Sequence, residues 1–105
     1  MLLVNTDYIS GKELETLGIV KGSIVQTKNF GKDFMAVIKT LVGGEVKEYT
    51  DMLNQARQIA VKRMVDEAQA LGADAVVNVR YASSSVMQGA AEVIAYGTAV
   101  KYKNI

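Results

Sequence analysis

The chain has 105 residues, enough for one domain with a modest core and no covalent staples. Half of it is apolar and 22% is charged, the balance of a globular chain rather than a disordered one. Cys and His are both missing, which excludes disulfides, thiolate metal sites and every Ser-His-Asp or Cys-His catalytic arrangement, and a net charge of +1 gives no long-range pull on nucleic acid or an anionic membrane.

No apolar run approaches the roughly 20 residues that span a bilayer. The first residues, Met1 to Asp7, lack the basic start and the apolar length of a secretion signal. A cytoplasmic protein is the expectation.

In chain order, Leu2-Leu3-Val4 reads as a short edge strand, broken by Ser10-Gly11-Lys12. Residues 16–28 are rich in Val, Ile and Thr, which favours a strand. Gly18 and Gly22 interrupt it, and a bulge or sharp bend is expected near Lys21-Gly22-Ser23. The period then changes. Phe30, Phe34, Val37, Ile38, Leu41 and Val42 recur at helical steps, with Asn29 as N-cap, Asp33 in the first turn and Gly43-Gly44 as the stop.

A longer helix is predicted from Glu45 or Thr50 to Leu71. Leu53, Ala56, Ala60, Met64, Ala68 and Leu71 make its apolar stripe, widened by Ile59, Val61 and Val65. At about 22–27 residues it would be about 33–40 Å long. A domain of this size has a radius of gyration near 13 Å, so part of the helix is expected to meet another subunit.

The helix ends at Gly72, where a left-handed residue suits a C-terminus, and Asp74 suits the turn by accepting a backbone N–H two residues on. Residues 75–83 read as a strand with Val77, Val79 and Tyr81 on one face and Asn78, Arg80 and Ala82 on the other. Ser83-Ser84-Ser85 and Gln88-Gly89 mark a loop, and residues 91–103 form the partner strand of an antiparallel hairpin. Ile94, Tyr96, Val100 and Tyr102 share one face of it. Ala95, Gly97 and Ala99 share the other, which suggests close packing by a helix backbone.

Candidate chemistry is sparse. Arg57, mid-helix, can anchor an anion or pair with Asp33 or Asp74. Asp33, Glu48, Asp51, Asp66, Glu67, Asp74 and Glu92 lack the spacing of an oxygen-ligand loop for Ca²⁺ or Mg²⁺. The five Met residues show no Met-x-Met repeat, so core filling is the better reading than a soft-metal site. Gly43-Gly44 lacks the Lys-Ser or Lys-Thr of a phosphate loop. An enzyme built from this chain would need Tyr49, Tyr81 or Tyr96 with Arg57 or Lys39.

Asn29-Phe30-Gly31-Lys32-Asp33-Phe34, Gly43-Gly44, Tyr49, Leu53, Ala56-Arg57, Ala60, the run from Leu71 to Val77, and Gly97-Thr98-Ala99-Val100 together resemble the YbjQ-like family. These are small bacterial and archaeal proteins labelled as heavy-metal-binding. The resemblance implies an α+β fold with a dodecin-like β-α-β-β core, an antiparallel sheet on a long helix, in a ring-shaped homo-oligomer, a pentamer. It supplies no cofactor and no catalytic residue.

Without Cys or His, repeating the subunit multiplies carboxylate, hydroxyl, carbonyl and thioether donors but adds no imidazole or thiolate. The reading is therefore a non-enzymatic module that binds a small ligand or ion at subunit interfaces. Asp33, Tyr49, Arg57 and Asp74 are the candidate interface or ligand residues, and no metal site is assigned. The alternatives are a structural ring without a ligand, or the heavy-metal role of the family label.

Overall fold

A computed structural model describes residues 1–27, 47–87 and 89–103, with residues 47–49 described by backbone alone. The elements are β1 (Leu2–Leu3), β2 (Leu14–Thr27), α1 (Lys47–Ala70), β3 (Ala75–Met87) and β4 (Ala90–Tyr102). The strands form one four-stranded sheet in the order β1-β3-β4-β2, and α1 packs on one face of it. The helix expected over residues 30–42 and its Gly43-Gly44 stop lie outside the described residues. No described helix is long and apolar enough to cross a membrane.

The sheet is mixed rather than purely antiparallel. β2 and β3 both run antiparallel to β4, while β1 runs parallel to β3 through Leu2–Ala75 and Leu3–Val76. Those two apolar residues sit at an edge, as the sequence predicts, but nothing in two residues sets a strand's direction. That comes from the backbone bonds that follow, Val4 N–H to Val76 O at 3.0 Å and Val79 N–H to Val4 O at 3.0 Å.

α1 has 24 residues, about 36 Å at the usual rise. Met52, Ala56, Ala60, Met64 and Ala68 are its buried stripe, each four residues after the last. Leu71 does not join it. It lies past the helix end and is 50% exposed. Gly72 has φ +77° and closes the helix: its N–H reaches Gln69 O at 2.9 Å, and Ala73 N–H reaches Ala68 O at 3.0 Å. These are the paired bonds of a Schellman cap, and Ala73 packs on the core that contains Ala68.

The helix side of the sheet is lined by Val20, Val76, Val93, Ala95 and Ala99 against Ala56, Ala60, Met64 and Ala68. Small side chains on both layers bring the backbones close, as the Ala95 and Ala99 face suggests. The closest approach is at Gly22. A Cβ there would collide with Ala60 O, Met64 N and, at 2.7 Å, Arg63 Cβ. This is why Gly22 is not the bulge the sequence predicts: from Gly18 to Thr27, β2 stays in continuous register with β4, and the irregularity falls five residues earlier, at Leu17.

Polar side chains of α1 reach the outer edge of β2. Glu67 Oε1 accepts from Lys21 N–H at 3.3 Å, and Arg63 Nη1 donates to Ser23 O at 2.6 Å. Backbone groups that an unpaired edge would leave open are thereby engaged.

β3 carries a bulge of its own. Val77 pairs with Thr98 and Arg80 with Tyr96, so Asn78 and Val79 together face Gly97, and Asn78 adopts φ +54°. The extra residue breaks the expected alternation. Val77 packs with Ala75 and Val100 on the far side of the sheet, whereas Val79 packs on the helix-side core. The expected Ser83-Ser84-Ser85 loop is also strand. Ser83 pairs with Val93 and Ser85 with Ala91, and the pairing runs on to Met87 with Ala90. Cross-strand partners on β4 override the turn preference of three serines.

Candidate functional site

The face of the sheet opposite α1 is covered at one end alone. There Val4, Ile9, Leu14 and Tyr102 close over Ala75, Val77 and Val100. Beyond the β3 bulge no described element lies on it. Ile19 and Val25 of β2 are 79% and 54% exposed, and Tyr96 on neighbouring β4 is 38% exposed.

Two adjoining cavities open here and share Arg80 and Tyr96. The larger, about 540 Å³, runs round the edge of β3 where β1 stops, along Leu3, Val4, Asn5, Val79 and Tyr81. The smaller, about 310 Å³, lies on the open face between Ile19, Asn78, Gly97 and Thr98. The bulge makes both. By adding a residue it turns Arg80 to the open face and ends the pairing with the N-terminal strand, whose last bond is Asn78 N–H to Thr6 O at 2.9 Å. Gly97 leaves the room that Val76 Cγ1 and Val77 O fill, since a Cβ there would sit 2.7 and 2.8 Å from them.

The residues singled out from sequence lie elsewhere. Asp33 is outside the described residues, and Tyr49 sits in the first turn of α1, where its backbone alone is described. Arg57 is half-buried on α1 and donates from Nη1 to Asn54 Oδ1 at 2.9 Å. Asp74 is exposed, and its Oδ2 accepts from Tyr102 N–H at 2.8 Å. It therefore extends the β3–β4 ladder by a side chain instead of closing a local turn two residues on. Arg57 and Asp74 do not pair with each other. Tyr81 and Tyr96 do share a cavity, with Arg80 as their cation; Arg57 is on the helix side of the sheet, away from both, and Lys39 lies outside the described residues. Arg80 carried a usable signal, being the one charged residue between Val76 and Val86, but its cavity depends on a bulge that strand alternation does not reveal.

The donors present do not suit a soft heavy metal. Neither imidazole nor thiolate exists in the chain. Met52 and Met64 are 1% and 0% exposed and are spent in the core beneath the sheet. Among the described residues no three carboxylates cluster, and several are already engaged: Asp66 with Lys62 at 2.9 Å, Glu67 and Asp74 with backbone N–H groups.

Residues 1–103 match the profile of the YbjQ family, described as "putative heavy-metal-binding". A UPF0145 protein of Clostridium novyi is 68% identical over 96% of this chain and 98% of its own length. One from Alkaliphilus metalliredigens is 68% identical over 97% and 99%, and one from the archaeon Methanosarcina acetivorans 54% identical over 99% of each. Among solved structures, a protein of unknown function of the DUF74 family from Pediococcus pentosaceus superposes with a TM-score of 0.63 over 98% of both chains at 13% identity, a likeness of fold. Whole-length identity of this order leaves one assignment: the chain belongs to the YbjQ (UPF0145) family.

Proposed function

We propose that the chain is a non-enzymatic module that assembles with copies of itself into a closed ring, a pentamer, and binds a small ligand or ion where its subunits meet. One observation carries this reading. The open sheet face presents Ile19, Val25 and Tyr96 to solvent in a single chain, and two cavities lie on that face. Exposed apolar area of this kind, bordered by polar residues, is the mark of an interaction surface. The described residues measure 60 × 24 × 17 Å. A thickness of 17 Å is one sheet and one helix, so no second layer covers the sheet among the described residues, and a second copy of the chain would supply one.

The heavy-metal label of the family gains no support from the donors of this chain. A site made of carboxylates, carbonyls and hydroxyls would favour hard cations. We place the protein's work in the cytoplasm, since a chain with no disulfide to form needs no oxidising compartment. Native mass spectrometry at micromolar concentration tests the assembly. A single closed oligomer is expected, dissociated by Ile19→Arg; a monomer for the parent chain overturns the reading.

A further inference from the structure

Three strands each place one residue in a single row across the open face. Lys21 of β2 and Arg80 of β3 both lie opposite Tyr96 of β4. Val20, Val79 and Ala95, their neighbours in sequence, belong to the helix-side core, so alternation turns Lys21, Arg80 and Tyr96 away from α1. The row is cation, aromatic ring, cation. At a strand spacing of about 4.8 Å, the two cations rise from positions about 10 Å apart with the ring between them.

No described residue on this face neutralises the row. Among the described residues, neither the Lys21 ammonium nor the Arg80 guanidinium has an ion pair or hydrogen bond. No described carboxylate lines either cavity. Glu67 meets Lys21 at its backbone N–H, on the helix side of the strand. Among the described strand residues the acid on the open face is Glu92, which pairs with Val25 and Ser84 four residues along β4, about 13 Å from Tyr96. Two unpaired cations of one sign beside an exposed ring leave a local excess of positive charge.

From this row we infer a binding site for a small planar anion, an aromatic ring that carries a phosphate or a carboxylate. It rests on the small-ligand half of the function proposed above and names the ligand's class. Arg80 holds the anionic group, because its planar fork matches two oxygens at once. Lys21 supplies a second, point-like charge from the other side. The ligand ring stacks on Tyr96, whose face offers an offset aromatic contact. Asn78 and Thr98 line the smaller cavity and give neutral donors and acceptors for the ring's polar edge. Cavities of about 540 and 310 Å³ are in the range that takes a ligand of this size.

Isothermal titration with adenosine monophosphate, benzoate, adenosine and inorganic phosphate, each at low and moderate salt, tests the site. At least one of the two ring-bearing anions is expected to bind more tightly than adenosine and than phosphate, and to weaken as salt rises, since exposed charges are screened. Whether the phosphate or the carboxylate binds better identifies the anionic group. Arg80→Gln is expected to weaken that binding by about ten-fold or more, the low end for a charged hydrogen bond. Lys21→Gln should weaken it less, Tyr96→Leu should remove the preference over inorganic phosphate, and Glu92→Gln should leave it unchanged. Equal thermal melting of parent and Arg80→Gln protein shows that the variant is folded. Binding unaltered by Arg80→Gln, or neither ring-bearing anion bound by the folded parent, overturns the site. Light scattering on the same samples separates the two readings. An intact oligomer that binds neither anion overturns the site alone, and a monomer with Arg80-dependent binding overturns the ring alone.

Discussion

At Gly22 an atom that is missing determines how the two layers meet. The space a side chain would need is held by Ala60 O, Met64 N and Arg63 Cβ, the first two of which are helix backbone and cannot swing aside. Gly22→Ala must therefore push α1 off the sheet, and we expect a loss of about 2–3 kcal/mol, the upper range for overpacking, read as a shift in urea midpoint. Asp74 shows the reverse case, where a single oxygen adds a bond. Asp74→Ala removes the acceptor for Tyr102 N–H. The group is exposed, so the loss should be about 1 kcal/mol in thermal unfolding, and Asp74→Asn, whose amide oxygen can still accept, should recover most of it. Both residues stood out in the sequence, but for other reasons. A glycine inside a strand pattern signals either a bulge or a close neighbour, and residues 60–64 are too far along the chain for the pattern to say which. An aspartate after a helix stop signals a local turn, whereas its partner here comes from the last strand.

In α1 the five buried side chains are three Ala and two Met. The alanines set the distance between layers, and the methionines fill what remains, Met52 at the start of the stripe and Met64 between Ala60 and Ala68. Met64→Ala would open a hole where no larger side chain can relax inward, and a loss of about 3 kcal/mol in denaturant unfolding is expected. Most of this element was legible: its extent, its Ala56-Ala60-Met64-Ala68 stripe and its Gly72 stop all follow from helical spacing and from the special backbone of glycine. Leu71 was not, because a stripe extrapolated by period ignores that the cap turns the next residue outward. The strands show the same limit. Alternation describes β4 well, from Ala95 to Val100, since its register is unbroken from Ala90 to Ala99 against β2 and from Thr98 to Val100 against β3. In β3 it fails after Val77, because one bulged residue exchanges the faces of all that follow. That exchange brings Arg80 beside Tyr96, so the candidate site stayed hidden while both of its residues were in view.

At the scale of the whole molecule, the described residues form a two-layer body in which one face of the sheet has no second layer over most of its length. The α+β class, the hairpin and the edge position of Leu2-Leu3 could be read from local signals. The parallel β1 and the β2–β4 pairing could not, since each joins segments that nothing local connects. That second pairing has a consequence in time. Leu14 meets Tyr102 and Thr27 meets Ala90, so among the described strands β2 has no partner until β4 exists. A growing chain leaves the ribosome with the residues of β2 synthesised but unpaired, a state in which a holdase would find a target. Closing so long a loop before any contact rewards it places refolding in the milliseconds-to-seconds range of non-local β topologies. The chain contains no Pro, so stopped-flow refolding should show no isomerisation phase of tens of seconds, and any phase that slow should quicken with protein concentration, the signature of subunits meeting.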